Sequence, residues 1–270
     1  MNSQPTVDVS AALRTAVSSI RRAWLAVLSY AAAIMAIQVL TVFCVSEDLL
    51  AKRTFHSSDG YCITVSLLAQ TWLWVGLYKL SLNAIRQKSV QVSNLFTAPG
   101  IMFRFSLVVL VAVVAAFLVG VGPLLLVLPA TNFIRSHLSQ EIIVVGVLLL
   151  LLPGVALMGY LSLMFSQFPW LLFDNRARYF DSLGQSKQLT KGSLWKLGIA
   201  YSVLTLLLLP ASVANRIADM YPDMFASNLG PPILLISWVW YVLVSAFGAF
   251  VGAALYQQLL DRHQHVNSSQ

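Results

Sequence analysis

Few side chains in this sequence could ligate a metal ion or carry out acid–base chemistry. Two of the four histidines, His263 and His265, form an HxH pair beside Asp261 in the string DRHQH. Such a pair can bind a transition metal weakly, but the string favours a solvated polar tail. The sequence contains no HExxH, GxSxG, Walker or CxxC motif, the patterns of metalloproteases, serine hydrolases, nucleotide-binding proteins and thiol oxidoreductases. We therefore predict no enzymatic activity, no metal and no cofactor.

The two cysteines, Cys44 and Cys62, lie at the ends of two long apolar runs that a short segment joins. If these ends face an oxidising compartment, a disulfide between the two cysteines can close the segment into a loop. Closing a loop of that size stabilises a fold by about 3 kcal/mol in the chain-entropy treatment. The sequence predicts this disulfide, with two free thiols packed as small apolar groups as the alternative.

The composition predicts a membrane protein. Hydrophobic residues make up 58% of the 270 residues and charged residues only 10%, whereas an ordinary soluble domain is about 25% charged. Too few charged side chains are present to cover a surface that faces water. The net charge of +7 would suggest nucleic acid for a soluble protein, but basic residues beside membrane spans mark the cytoplasmic side and contact anionic lipid. The predicted partners are therefore anionic membrane lipids, and not nucleic acid.

Six apolar runs are long enough to cross a membrane as helices, which requires about 20 residues. They cover residues 23–45, 61–82, 105–130, 142–165, 194–213 and 232–256. The sequence therefore predicts an all-α, polytopic fold with six transmembrane helices. We divide it into a cytoplasmic amphipathic segment at 1–22, a transmembrane domain at 23–257 and a polar C-terminal tail at 258–270.

The distribution of basic residues predicts the orientation of these spans. Of the 17 Lys and Arg residues, 13 fall on one side of the predicted membrane, and only Lys52, Arg53, Arg135 and Arg216 fall on the other. Because basic loops are retained in the cytoplasm, both termini are expected there. Trp24, Trp170 and Trp195 fall at predicted cytoplasmic ends, where an indole lies at the level of the headgroups.

Three cytoplasmic segments are predicted to lie along the membrane surface. The first precedes the first span, and its apolar stripe is expected to face lipid; the stripe consists of Val9, Ala12, Leu13, Ala16, Val17, Ile20 and Trp24. The second covers residues 89–104 and is interrupted at Pro99 and Gly100. The third covers residues 178–191, where Gly192 can end a helix in the left-handed conformation. A hairpin of two spans follows each segment, which predicts a three-fold repeat; the alternative is that any such protein has cytoplasmic linkers at these places.

The predicted spans hold almost no ionisable side chain. Proton-coupled and ion-coupled transporters carry buried charged residues on their pathways, whereas the deep polar candidates here are the neutral Gln38, Thr41, Gln70 and Thr71. This pattern argues against a proton pump or antiporter, but leaves a lipid-like substrate open. Prolines inside or near the spans predict kinks; they are Pro123, Pro129, Pro153 and Pro210. In the last span a stripe of small residues predicts close helix packing; it consists of Ser245, Gly248 and Gly252.

Two cytoplasmic stretches resemble a bacterial six-span membrane family. They are GLYKLSLNAIRQKSVQVSNLF at 76–96 and FPWLLFDNRARYFDSLGQSKQLTKGSLWKL at 168–197. The family includes the YciC-like uncharacterised proteins and is similar to the membrane domain of some glycerophosphodiester phosphodiesterases. Its motif positions fall on Asp174, Ser186, Leu189, Lys191, Gly192 and Trp195. A glycine that is frequent after the second span is replaced by Gln87 and Lys88. The resemblance implies a fold and a membrane, but not hydrolysis.

The leading functional prediction is a non-enzymatic integral protein of the bacterial cytoplasmic (inner) membrane. It would act in the envelope as a lipid-contacting scaffold or as the partner of another membrane protein. The candidate contacts to lipid phosphate are Arg21, Arg22, Arg104, Arg176, Arg178, Lys187 and Lys191; the alternative is that these residues only set the orientation. A second prediction is a small permease or transporter subunit for a lipid-like or amphipathic substrate, which a cavity lined by Gln and Thr would favour.

Overall fold

The structure, a computed structural model, describes residues 7–45, 57–96, 100–111, 114, 140–220 and 230–268. Within these ranges the chain forms helices and no strand. The helices are α1 (Val9–Arg22), α2 (Trp24–Cys44), α3 (Ser57–Ile85), α4 (Gly100–Val111), α5 (Gln140–Met164), α6 (Phe168–Phe173), α7 (Asp181–Thr190), α8 (Leu194–Met220) and α9 (Gly230–Ser268), with a short 3-10 helix at Val92–Leu95.

Five of the described helical segments are long and apolar enough to cross a membrane. They are Trp24–Cys44, Ser57–Ile85, Leu152–Phe173, Leu194–Ala214 and Pro232–His265. The prediction of an all-helical chain with several candidate membrane spans is therefore confirmed. The third predicted span, at 105–130, lies largely outside the described residues, as do Pro123 and Pro129, so the count of six stays a prediction. The three-fold repeat also stays a prediction.

The contacts within the chain divide it into two compact units, residues 1–102 with 195–270, and residues 103–194. In the first unit α3 packs against α1, α2, α9 and the 3-10 helix. Its second half is buried at Leu73, Val75, Leu77 and Leu80. Its first half exposes large apolar side chains such as Val65. Contact of these side chains with water would be unfavourable, whereas lipid would solvate them.

The 3-10 helix packs directly on the backbone of α3. A Cβ atom at Gly76 would lie 1.9 Å from the carbonyl oxygen of Leu95, so only glycine permits this approach. Leu95 is buried, and the ring of Phe96 meets Trp72 edge-on, with 6.4 Å between centroids. The prediction that 89–104, interrupted at Pro99 and Gly100, lies along the membrane surface is therefore wrong for Leu95, because the gap that Gly76 leaves admits this residue into the protein.

Helix α1 is held against the protein by its small residues. Ala12, Ala16 and Ser19 are buried, and the helix packs on α9 and α3. The predicted apolar stripe is thus wrong for this side of α1, because small side chains allow helices to approach closely and so favour contact with protein over lipid. The larger Val17 and Trp24 stay exposed.

Helix α9 continues beyond the predicted end of the last span to Ser268, and Leu259 and Leu260 are buried. A Cβ atom at Gly248 of α9 would lie in ordinary van der Waals contact with Leu204 Cδ1 of α8, at 3.7 Å. A second contact joins these helices near Pro210. The indole Nε1–H of Trp240 donates to the carbonyl oxygen of Leu207 at 2.7 Å. Proline weakens the backbone hydrogen bonds of the preceding turn, and Trp240 supplies a donor there.

Helix α3 ends in a Schellman turn built around Gln87. The Lys88 N–H donates to Asn83 O at 2.9 Å, and the Gln87 N–H donates to Ala84 O at 3.2 Å. Gln87 has φ 56, in the left-handed region that usually favours glycine. A glutamine therefore adopts here a backbone conformation that usually favours glycine.

Candidate functional site

Arg21 and Arg22 lie where the first apolar helix begins. Only Ala23 separates the end of α1 from the start of α2, and its φ of −101 and ψ of 13 break the helix. Both arginines are exposed, and so is Trp24 at the first position of α2. An exposed indole beside cations at the end of an apolar helix matches the headgroup region of a bilayer.

In the second unit two of the predicted phosphate contacts already have protein partners. Arg176 Nε lies 2.6 Å from Asp174 Oδ2 in an ion pair. The guanidinium of Arg104 lies over the ring of Tyr179, with 5.4 Å to the centroid. A lipid phosphate that bound Arg176 or Arg104 would compete with these protein partners for the positive charge.

Arg178, Lys187 and Lys191 differ from these two residues. All three are exposed and form no ion pair with any residue that the structure describes. They lie before α7, in its last turn and at its C-cap. Among the described residues of this unit they are the cations most available to an external anion.

The family motif residue Ser186 holds the end of α5 and is buried. Its Oγ donates to the carbonyl oxygen of Met164 at 2.9 Å and accepts from the Gln167 N–H at 3.1 Å. Thr190 Oγ1, also buried, lies 3.2 Å from the same carbonyl oxygen. Since the last carbonyls of a helix have no partner within that helix, the motif here joins α5 to α7. This role is structural, and the sequence did not point to Thr190 or Gln167.

The remaining motif residues complete the turn after α7. Leu189 is buried, and Gly192 has φ 78, so the expected left-handed glycine is confirmed. Trp195 is 82% exposed, as an interfacial indole requires, whereas Trp170 is only 3% exposed. Trp170 therefore packs inside the protein with the other apolar residues of α6, and its level in the membrane stays a prediction.

Cys44 and Cys62 are free thiols in the structure. The Cys62 thiol lies 3.5 Å from the carbonyl oxygen of Cys44, so the two residues are neighbours although no disulfide joins them. They share an apolar cavity of about 320 Å³ between α2 and α3. Because Cys44 is exposed and Cys62 is partly exposed, the disulfide and the alternative of two packed thiols both stay predictions.

A second cavity, here called the amide cavity, lies between α2, α3 and α9 and has a volume of about 270 Å³. Its polar and aromatic lining includes Gln38, Gln70, Tyr30, Trp74, Trp238 and Tyr241. Gln38 lies within the apolar α2, and Gln70 lies close to the midpoint of α3. The cavity is therefore placed well inside the apolar part of these helices.

The four neutral polar residues predicted deep in the spans divide into two pairs. The Thr71 hydroxyl donates to Leu67 O at 2.7 Å, and the Thr41 hydroxyl contacts Ile37 O and Ser66 Oγ. Neither Gln38 nor Gln70 forms a side-chain hydrogen bond with any residue that the structure describes. The two amides face the amide cavity without a partner among the described residues, and Ser245 of the predicted packing stripe lines it too.

Histidines His263 and His265 lie on exposed positions of α9. In the described ranges, no group of three His, Cys, Asp or Glu side chains could hold a metal ion.

Comparison of this chain with protein-family models, with curated proteins and with solved structures gave no match. The resemblance to the six-span family thus stays a prediction that rests on the motif residues alone.

Proposed function

We propose that this chain is a non-enzymatic multi-pass protein of the bacterial cytoplasmic membrane that contacts anionic lipid as a scaffold or as the partner of another membrane protein. The position of Arg21 and Arg22 supports the proposal most directly. Both cations are exposed on a helix whose other side is fixed to α9 and α3, and they lie one turn before an apolar helix. A headgroup phosphate at that level would meet two preorganised cations.

The basic residues near α7 extend this proposal. Arg178, Lys187 and Lys191 are exposed and unpaired within the described ranges, and each basic residue near an anionic surface contributes about 1 kcal/mol. The split of the 17 Lys and Arg residues, 13 on one predicted side and four on the other, supports a cytoplasmic position for these cations, beside the anionic leaflet.

The test reverses the charge of the two arginines. The double variant Arg21→Glu/Arg22→Glu should lose at least about 2 kcal/mol of lipid attraction, about a thirty-fold drop in affinity. Native mass spectrometry of the purified protein measures retained phosphatidylglycerol and cardiolipin. The matched control is Lys52→Glu/Arg53→Glu, an adjacent pair in the segment that joins α2 and α3. Equal retention of anionic lipid in both variants would overturn the proposal.

A second candidate function is transport of an amphipathic substrate. The amide cavity favours it, because two amides that lie well inside apolar helices and have no partner among the described residues are costly unless something binds to them. Proteoliposomes with a short-chain fluorescent lipid in one leaflet test this function. Faster lipid exchange than in protein-free vesicles, and its loss in Gln38→Leu/Gln70→Leu, are the expected results; an unchanged exchange rate would exclude this candidate.

A further inference from the structure

We infer that the amide cavity binds an uncharged group bearing hydroxyl oxygens, of the kind that heads a neutral lipid or forms a small free polyol. The inference does not depend on lipid contact at Arg21 and Arg22. Transport would require this binding, but binding does not require transport.

The absence of charge in the lining indicates an uncharged ligand. None of the nine described residues that line the amide cavity is acidic, basic or histidine. An ion placed at this depth would lack a counter-charge, and a single charged side chain at the centre of a bilayer already costs about 2.5–3.5 kcal/mol on insertion scales. A phosphate, a carboxylate or an ammonium group is therefore disfavoured.

The hydrogen-bonding groups of the lining indicate hydroxyl oxygens. Each of Gln38 and Gln70 offers a carbonyl acceptor and an NH₂ group with two donors, and neither side chain is bonded within the described ranges. A hydroxyl both donates and accepts, so it can satisfy either end of an amide. An ether or an alkyl chain cannot do both.

The size and the walls limit the ligand to a compact group with an apolar side. A volume of about 270 Å³ is just below the range of about 300–1,000 Å³ of sites for drug-sized ligands. Tyr30 and Trp74 pack edge-on with 6.3 Å between their ring centroids, which fixes one wall. Ile34 and Val242 contribute aliphatic surface. These walls suit the carbon skeleton of a small polyol or the first carbons of an acyl chain.

The experiment measures equilibrium binding to the full chain in phosphatidylcholine nanodiscs. The probes are radiolabelled 1-monolauroylglycerol and radiolabelled glycerol, with empty nanodiscs as the background. Saturable binding of the lipid alone assigns the site to a lipid headgroup, and saturable binding of glycerol as well assigns it to the compact group itself. Both results support the inference. Binding of neither probe means that water satisfies the amides, and it overturns the inference.

Two further arms test the chemistry of the site. Dodecyltrimethylammonium, a cation with the same chain length, should not compete with the bound probe, and equal competition would overturn the inference.

The variants Gln38→Leu and Gln70→Leu should each weaken binding about ten-fold while eluting as monodisperse protein. Val242→Phe should reduce binding by filling the cavity while both amides stay. Thr71→Val, beside Gln70 but outside the lining, should bind as the unmodified protein does. Unchanged binding in the double variant Gln38→Leu/Gln70→Leu would also overturn the inference.

Discussion

The side-chain amide of Gln258 pairs with the backbone of Asp8 through two hydrogen bonds. Its Oε1 accepts from the Asp8 N–H at 2.9 Å, and its Nε2 donates to the Asp8 carbonyl oxygen at 3.1 Å. The two residues are 250 positions apart in the sequence. Because Asp8 is the N-cap of α1, α9 fixes the residue at which α1 begins.

Replacing Gln258 by Leu should release the start of α1. Both hydrogen bonds are lost, each contributing about 1 kcal/mol, while the packing at Ala12 and Ala16 stays. We expect faster amide hydrogen exchange in residues 9–13 with little change in α3. Gln264→Leu, an exposed glutamine on the same helix, is the control. Equal exchange in the two variants would show that the small-residue contact alone holds α1.

The N-cap of α1 should respond to pH through the Asp8 carboxylate. Its Oδ1 accepts from the Ser10 hydroxyl at 2.8 Å and from the Ser10 and Ala11 N–H groups at 2.9 and 3.1 Å. These bonds, with the Ser10 hydroxyl first, lower the pKa of Asp8 below the ordinary value of 3.8. The cap is therefore fully present above that ordinary value and is lost as the pH falls through the lower, folded pKa.

Hydrogen exchange of Ser10 and Ala11, compared with an Asp8→Asn variant at each pH, measures this effect. Asparagine keeps a neutral cap, so the intrinsic pH dependence of exchange cancels in the ratio. Protection in the unmodified protein should fall towards the level of the variant as the carboxylate is protonated. A ratio that does not change with pH would contradict the proposed cap.

Gln87→Gly should stabilise the protein by about 1 kcal/mol. Gln87 has φ 56, and the left-handed conformation costs a residue with a Cβ about 1–2 kcal/mol. The greater conformational freedom of glycine in the unfolded chain offsets part of the stability that its substitution would gain. Asn175 occupies the same position after α6 with φ 52, and asparagine tolerates this region better. Thermal unfolding in detergent should thus show a larger gain for Gln87→Gly than for Asn175→Gly; the reverse order would contradict the account.

The extent of α2 could be predicted from the sequence, whereas the continuation of α9 to Ser268 and the contacts between helices could not. The apolar run at 23–45 closely matches α2 at Trp24–Cys44, because about 20 apolar residues in lipid must satisfy their own backbone. The face of α1 that contacts protein could not be predicted, since Ala12 and Ala16 can face either lipid or another helix. The amide cavity could not be predicted either. Gln38 and Gln70 lie on α2 and α3, and residues of α9 complete the cavity that they line; the sequence pattern does not indicate that α9 lies beside these two helices.

Gly76→Ala should displace the 3-10 helix from α3. The added Cβ would lie 1.9 Å from Leu95 O and 2.5 Å from Leu95 C, and both are backbone atoms that cannot rotate away. Overpacking of this kind costs about 1–3 kcal/mol. Gly184→Ala is the control, because no atom lies within 4 Å of its added Cβ. We expect a lower unfolding temperature and new protease cleavage near Val92 only for Gly76→Ala; equal behaviour of the two variants would contradict the packing of Leu95.

Oxidation should join Cys44 to Cys62 within one chain. The Cys62 thiol already lies 3.5 Å from the carbonyl oxygen of Cys44, and we expect oxidation to bring the two sulfurs together. In the chain-entropy treatment the bond would stabilise the fold by about 3 kcal/mol. Labelling with a polyethylene glycol maleimide counts the free thiols by gel shift. Two labels are expected in protein kept reduced and none after mild oxidation, whereas the single variant Cys44→Ala should keep one label under both conditions. Two labels after oxidation of the unmodified protein would show that the thiols cannot meet and that their role is packing.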